Sequence, residues 1–421
     1  MQGAVQQLFA TSYVYLAEIN GVQRNEDGSY SEANSRVVRD SPAGRSAFNG
    51  EQVRFPLVPY GLQGGGYVSE TSTWNVPHAL DVDKATAKLA DTLVPVSITI
   101  DLEEDSVGNY SAMSALAENV KQTRIQLGKI ENIGAIYGSE PVARVANATG
   151  SPALDMDVED ANFDILLPGT TWDILTESSG ADPGQGLRRK IASVTETTAT
   201  TGNVVFSTTA QASDGGSGNI TFAATEAIYI PGSYGKVVAG LEQAVAVTGT
   251  FEGVDKAANA YWQGVDGRGG VTTLLPLSDS ILHEAVRRGM RWGPPMWHFG
   301  IGDPAVIELY QQGKYSQVRY DKSASTLKSG FAGVVFEGAS KPFPLVKELY
   351  ALKGKVRLID KESIDVYANR RGPYFIQDDG SMWRRLSRTN AKEADLLDRW
   401  QVAYKACNRL VFLNNLEDGV A

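Results

Sequence analysis

Residues 109–137 hold the longest helix-period stretch of the chain. Tyr110, Met113, Leu116, Val120, Leu127, Ile130 and Tyr137 recur at steps of three, four or seven and set one apolar stripe. Asp101, Glu103, Glu104 and Asp105 stand just before it, where negative charge favours a helix N-terminus; Gly138 stands where a C-terminal cap is expected. At about 1.5 Å per residue the rod is roughly 42 Å long, more than most globular helices reach. Gly128 and Gly134 each weaken its second half by about 1 kcal/mol, which predicts a bend. A chain built on such a rod reaches across to neighbours rather than closing around a small substrate.

The segments leading into the rod fit that expectation. Val94, Val96, Ile98 and Ile100 fall on one face of a strand whose other face carries Pro95, Ser97, Thr99 and Asp101. Upstream, residues 53–57 form a second strand that Pro56 confines to an edge. Between them, Gln63-Gly64-Gly65-Gly66 beside Tyr67 offers few side chains to pack and reads as a tip. The expectation is a projecting hairpin of two edge strands, marginal alone in water and therefore resting on another subunit. Residues 1–50 form an arm: a short helix over 4–19, with Val5, Phe9, Tyr13 and Leu16 on one side, then a polar stretch that buries little by itself.

After Lys190 no Lys or Arg occurs until Lys236, and Thr, Ser, Ala and Gly dominate. Short β-like runs at 190–194, 204–206 and 227–230, separated by turns such as Asp214-Gly215-Gly216, mark a small all-β insertion over 161–232. Downstream, Ile281, Leu282, Ala285, Val286 and Met290 place a one-sided helix within 273–292. Asp303-Pro304 caps and opens another, which stops before Gly313. The end of the chain is strand-rich, at 356–359, 364–367, 382–386 and 400–412.

No catalytic or ligand-binding constellation accompanies these parts. His78, His283 and His298 have no metal-ligand spacing, and the single cysteine, Cys407, excludes a disulfide framework and a Cys-based zinc site. The segment 300–305 (Gly-Ile-Gly-Asp-Pro-Ala) matches the dinucleotide fingerprint in outline, but Asp303 puts the wrong charge at the helix N-terminus and no repeated βαβ pattern precedes it. Residues 155–160 (Asp-Met-Asp-Val-Glu-Asp) resemble the start of a calcium loop without its glycine and final glutamate, and read as a solvated acidic linker. No enzyme activity, cofactor or metal is expected. A net charge of −10 argues against sequence-specific nucleic-acid binding. Arg370-Arg371 and Arg384-Arg385, with Arg388, are candidates for contact with a polyanion or for salt bridges between subunits, beside the plain reading of a solvated sheet edge. The first residues lack the basic and apolar regions of a signal peptide, and no run is long enough to span a bilayer, so no membrane is expected and synthesis in a reducing cytosol fits.

The order of parts resembles the major capsid protein of tailed double-stranded-DNA bacteriophages, an α+β protein of the Hong Kong 97-type fold. Three stretches carry the resemblance. The strand 93–101 runs through acidic residues 101–105 into the helix ending Ile136-Tyr137-Gly138, which is similar to that family's spine helix. Gly240-Leu241, residues 249–255 (Gly-Thr-Phe-Glu-Gly-Val-Asp) and Tyr261-Trp262-Gln263-Gly264 precede the helix in 273–292. The strand–helix unit 296–312 is similar to the axial domain.

The resemblance implies an N-terminal arm (1–50), an extended loop or E-loop (51–101) and a peripheral domain with the spine helix (102–160). The inserted small all-β domain (161–232) departs from that family's minimal fold; beyond it the resemblance implies the second peripheral helix (233–295), an axial domain (296–363) and the return strands of the peripheral domain (364–421). A structural protein is implied, self-assembling as pentamers and hexamers into an icosahedral head that encloses DNA without reading its sequence. Such a protein is made in the host bacterial cytoplasm and ends in the virion. A portal and decoration proteins are further implied partners; no long charged helical segment precedes the arm, so a separate scaffold or an already mature chain is expected. Gln63, Gly64, Gly65, Gly66, Tyr67, Arg370, Arg371, Arg384 and Arg385 are the candidates for contact between subunits. Some relatives cross-link a loop lysine to a neighbour's asparagine; Lys84 and Lys88 are the loop lysines, and no matching asparagine is identified. Three alternatives stand beside this: an encapsulin-like shell around cargo enzymes, a carbohydrate-binding or adhesive β protein using Trp172 and Tyr229 of the insertion, and a nucleotide-dependent enzyme using residues 300–305.

Overall fold

The computed structural model describes residues 13–21, 36–38, 52–57, 83–99, 115–147, 154–181, 188–198, 200–207, 222–292, 297–314, 333–337, 341–370, 372–377, 381, 383–385 and 390–419. The chain enters through a short helix, α1 (Val14–Ile19), whose residues are all buried, and a three-residue strand, β1 (Arg36–Val38). Next come β2 (Gln52–Leu57), β3 (Asp83–Lys88), β4 (Ala90–Thr99) and the long helix α2 (Ala115–Tyr137). Of the expected stripe, Leu127 and Tyr137 are buried and Ile130 is partly so, while Tyr110 and Met113 lie outside the described residues. The helix ends where its sequence says it should: Gly138 takes φ +63° and its N–H bonds Gly134 O at 2.7 Å. It runs unbroken through Gly128 and Gly134. Gly134 serves packing, since a Cβ there would stand 3.0 Å from Val237.

The hairpin differs from the expected one. β2 pairs antiparallel with β3, Phe55 opposite Ala85 and Val53 opposite Ala87, and β4 pairs instead with a distant strand over ten residues. The inner face of β3 consists of alanines, which leave no mark in a hydrophobic pattern yet fit under the large residues of β2. The root of the hairpin packs on its own chain. Phe55, Leu57 and Ala85 join the main core with Phe251 and Trp262, Thr86 N donates to Glu252 O at 2.8 Å, and the Tyr261 hydroxyl donates to Asp83. The expected tip, 63–67, lies outside the described residues.

The inserted domain is a closed six-stranded barrel. Its strands are β5 (Ala143–Val145), β6 (Asp155–Glu159), β7 (Thr171–Thr176), β8 (Arg188–Glu196), β9 (Gly202–Phe206) and β10 (Glu226–Tyr229), in spatial order β10-β5-β6-β9-β8-β7. Two of them lie ahead of residue 161, where the sequence division starts the insertion, and so fall in the segment 102–160. Closure explains this: a barrel abolishes edges only when every strand has two neighbours, and β5 and β6 complete the ring. Residues 155–160 are therefore not a solvated linker. Met156 and Val158 point into the barrel while Asp155, Asp157 and Glu159 point out.

The chain then passes through a short helix, α3 (Leu241–Val245), the hairpin β11 (Thr250–Phe251) and β12 (Val254–Asp255), and β13 (Val265–Asp266). α4 (Asp279–Gly289) begins later than 273, because Ser278 caps it by accepting Ile281 N. Leu282, Ala285 and Val286 are buried as expected, but Met290 falls in a terminal 3-10 turn and is 38 % exposed. β14 (Phe299–Gly302) leads into α5 (Pro304–Lys314), followed by β15 (Val334–Phe336), β16 (Phe343–Lys347) and β17 (Val356–Ile359). These strands belong to a mixed sheet ordered β13-β22-β17-β14-β16-β15, in which β22 (Val411–Leu413) comes from the C-terminus.

The remaining strands, β18 (Ile364–Ala368), β19 (Tyr374–Phe375), β20 (Arg384–Arg385) and β21 (Ala391–Tyr404), build the second large sheet. The fourteen-residue β21 is its organiser: it pairs β4, β18, β19 and β20, and β1 extends the sheet in parallel beyond β18. The expected single strand over 400–412 is two. A 3-10 turn at Cys407–Arg409 hands the chain from one sheet to the other, so the return strands serve both. Among the described residues no helix is long and apolar enough to cross a membrane.

Candidate functional site

Gln63, Gly64, Gly65, Gly66, Tyr67 and Arg371, with Arg388, lie outside the described residues. Arg370 follows β18, is exposed and stacks its guanidinium on Tyr374 at 4.0 Å. Arg384 and Arg385 make up β20, both exposed, opposite Glu393 and Lys392 of β21. Arg384 forms an ion pair with Asp395 of the same chain. Sequence proximity had grouped 370 with 384, but the sheet separates them into a stacked position and an edge position.

The strongest convergence of distant elements was not legible as a motif. Glu348, after β16, is fully buried; its Oε2 accepts Tyr15 N at 2.9 Å and its Oε1 accepts Asn132 Nδ2 at 3.0 Å. One carboxylate thereby ties α1 and α2 to the mixed sheet. Burial pushes Glu348 up to about 7, partly offset by those donors. The Tyr15 and Tyr404 hydroxyls share a 2.6 Å hydrogen bond, and Lys361 reaches Glu18 at 3.3 Å. No local pattern in the sequence marks it, and Lys347 separates Glu348 from the apolar run of β16.

The segment 249–264 forms a second nest. Glu252 (φ +51°) and Gly253 (φ +85°) make the two-residue turn of the β11–β12 hairpin, the conformation such hairpins favour. Lys256 is buried with its Nζ on three carbonyls at the end of α3: Gln243 at 2.7 Å, Ala244 at 2.6 Å and Ala246 at 2.9 Å. The ammonium thus satisfies groups the helix leaves open and sits 4.9 Å from the Phe251 ring centroid. Trp262 Nε1 donates to Phe251 O, and Gln263 Nε2 to Lys256 O. These contacts support the hairpin root; they present nothing to a substrate.

Other sequence candidates dissolve into packing. Gly300 and Gly302 lie in the middle of the mixed sheet, where a Cβ would meet Leu345 at 2.5 Å and Val356 at 2.6 Å, so they admit neighbours rather than phosphate. β14 is parallel to β16 and antiparallel to β17, unlike a doubly wound sheet. Asp303 caps α5 by accepting Ala305 N and also takes Gly354 N at 2.9 Å. His283 is exposed with its ring edge-on to Phe336, His298 accepts Lys361 N, and His78 lies outside the described residues. Trp172 and Tyr229 are buried and form no exposed platform for a sugar. No group of three or more His, Cys, Asp or Glu among the described residues is placed to hold a metal ion.

No protein-family model matches the sequence, and no curated protein matches it. Among solved structures, a chain of the cyanophage A-1(L) capsid asymmetric unit aligns with a TM-score of 0.52 at 10 % identity, over 91 % of this chain and 90 % of that one. The chain has the Hong Kong 97-type capsid fold. A chain of the native GTA particle capsid (TM-score 0.43, 10 % identity, 88 % and 86 % covered) and one of the holo-SrpI encapsulin complex from Synechococcus elongatus (0.40, 11 %, 81 % and 79 %) align more loosely, and nothing further rests on them. At such identity the capsid fold is what is shared.

Proposed function

We propose that this chain is the major capsid protein of a tailed double-stranded-DNA bacteriophage, assembling as pentamers and hexamers into an icosahedral head. The observation that carries it is the likeness to the cyanophage capsid chain over 91 % of this chain and 90 % of that one, rather than one shared motif. On this reading α2 is the spine helix, β2 and β3 root the extended loop, the β21 sheet is the peripheral domain and the mixed sheet is the axial domain. The barrel is an insertion between them. Residues 63–67 and Arg370, Arg371, Arg384 and Arg385 serve contacts between subunits, with Arg385 free to reach a neighbour's carboxylate because Lys392 opposite it offers none. Scaffold, portal and decoration proteins are the partners such a head requires, and the enclosed DNA is held without sequence-specific contact.

A shell subunit needs wide, repeated interfaces rather than a pocket, and many weak contacts multiplied by symmetry stabilise it. The test is direct. The expressed full chain is examined by sedimentation velocity and negative-stain electron microscopy, and purified particles are assayed for nucleic acid and for co-purifying protein. Closed shells or capsomer rings are expected; a stable monomer sinks the proposal, and shells filled with cargo protein instead of nucleic acid turn it to the nanocompartment alternative.

A further inference from the structure

On an acidic chain, one groove is basic. A cleft of about 720 Å³ runs between β4, α2 and the barrel and continues into a recess of about 380 Å³, the two sharing Asp91, Lys236 and Val237. Among the described lining residues are five cations, Lys88, Lys129, Arg188, Lys236 and Arg399, and one carboxylate, Asp91. Arg399 is held by Asp91 at 3.1 Å and Arg188 by Asp173 at 3.2 Å. The three lysines form no ion pair among the described residues; Lys129 Nζ lies 5.7 Å from the Tyr350 ring centroid, and Lys236 is exposed. Leu93, 49 % exposed, adds an apolar contact at the rim. With a net charge of −10 over the whole chain, such a concentration of positive charge is not a chance sample of the surface.

The same chain carries the complement. β6 turns Asp155, Asp157 and Glu159 outward, and its neighbours add no excess cation there. Among the described residues the Asp157 carboxylate meets only the amide of Asn203, and Arg144 on the neighbouring strand already faces Glu140, Asp160 and Glu177. The barrel order β10-β5-β6-β9-β8-β7 puts β6 three strands from β7 in either direction. The groove is walled by the start of β7 and by Arg188 of β8. Acidic face and basic groove therefore lie on opposite sides of one barrel, and no copy can satisfy its own pair.

We propose that the basic groove of one copy seats the outward face of β6 from the next copy, making a head-to-tail contact through the inserted barrel. This rests on the shell reading above. The contact is heterologous, and repeated with a closing rotation it makes a ring. Outward residues on a strand repeat about every 7 Å, so Asp155, Asp157 and Glu159 offer a row of carboxylates along the groove. A nucleic-acid occupant would instead leave the β6 face without a counterpart and set Leu93 against phosphate.

The test uses two charge-reversed full-length chains, one with Lys129→Glu and Lys236→Glu in the groove, the other with Asp155→Lys and Asp157→Lys on the strand. In each, groove and strand carry like charge, and the assembled fraction by sedimentation velocity is expected to fall at least about tenfold. Mixed one to one, they are expected to recover, because each variant's groove then fits the other's strand. The recovered rings alternate the two chains, so electron microscopy should show even-membered rings and lose odd ones. Lys236→Glu alone, at an exposed side chain, covers the case in which a double variant misfolds; it should weaken assembly more at low than at high salt. If wild type assembles and the variants assemble equally well, or fail to recover on mixing, the contact is wrong while the shell reading stands. If wild type does not assemble, the shell reading itself fails. Unchanged assembly with lost binding of a short DNA duplex by the groove variant would assign the groove to nucleic acid and overturn the proposal.

Discussion

The carboxylate of Glu348 accepts the backbone N–H of Tyr15 at 2.9 Å across 333 positions of sequence. Each partner it has is a donor, yet burial favours its neutral form and holds it up to about 7. Asn132, the other donor, has an Oδ1 with no hydrogen-bond partner among the described residues. A flipped Asn132 amide could accept from protonated Glu348, which gives the neutral form a partner.

Stability should therefore depend on pH in a defined direction. The folded-state value lies above the ordinary 4.5, so the folded state binds the extra proton and the stabilisation is full below 4.5 and lost as pH rises to about 7. The loss is on the order of 3 kcal/mol. Around the carboxylate stand Tyr13 and Tyr15 of the N-terminal segment and Tyr350, all raised by burial, and none of them titrates in this window. Denaturant midpoints of wild type and Glu348→Gln from pH 4 to 8 should diverge across this range; parallel curves would show the site does not titrate there. Hydrogen exchange at residues 14–20 should quicken with pH beyond the intrinsic rate only in wild type.

Gly138 and Gly240 meet backbone to backbone. A Cβ on Gly240 would stand 2.2 Å from Gly138 N, and one on Gly138 would stand 2.6 Å from Gly240 N. Neither neighbour is a side chain that can swing away. Gly240→Ala should destabilise by about 3 kcal/mol through overpacking, and Gly138→Ala by at least as much since φ +63° adds strain. Gly313→Ala is the control of opposite sign: Gly313 is exposed in the last turn of α5 with open space at Cβ, and a gain of about 0.5 kcal/mol is expected in thermal unfolding.

Lys256→Met keeps the buried stem but removes the donor for three carbonyls at the end of α3. Roughly 3 kcal/mol should be lost, because unpaired buried carbonyls bear their full desolvation cost. A change in Trp262 fluorescence at lower denaturant than the global transition should report local melting of the nest, because its indole bonds the same hairpin; coincident transitions would show that the nest does not melt by itself.

Arg357 grips Glu242 through two bonds, at 2.8 and 2.6 Å, and both are nearly buried. Burial pushes Glu242 up, but the adjacent guanidinium more than reverses this and holds it below the usual carboxylate range. Arg357→Met should cost about 3 to 5 kcal/mol by stranding a buried charge. Adding Glu242→Gln should recover most of it, and a double-mutant cycle in denaturant measures the coupling; additive losses would mean the pair is not coupled.

Much of this architecture could be foreseen from local pattern. The end of α2 at Tyr137, the strand Val356–Ile359 and the Asp303-Pro304 start of α5 all follow from periodicity and capping, which act within a few residues of each other. Strand pairing does not. Nothing in residues 94–99 reveals that their partner is β21 and not β2, because alternation names a face and never a neighbour.

The candidate contact residues illustrate the same divide. That Arg384 and Arg385 are exposed follows from their charge, but Asp395, which binds the first, is set by sheet register. Glu348, Lys256 and the basic groove could not be seen at all, since each is assembled from segments far apart in the chain. The amino-acid order by itself determined the end of the long helix, the start of α5, the strands with a clean apolar pattern and the similarity to a shell-forming family, because these depend on short-range sterics and on the succession of parts. Only the tertiary structure decided the strand partners, the extent of the barrel and the placement of buried and exposed charge, because those are set by long-range packing.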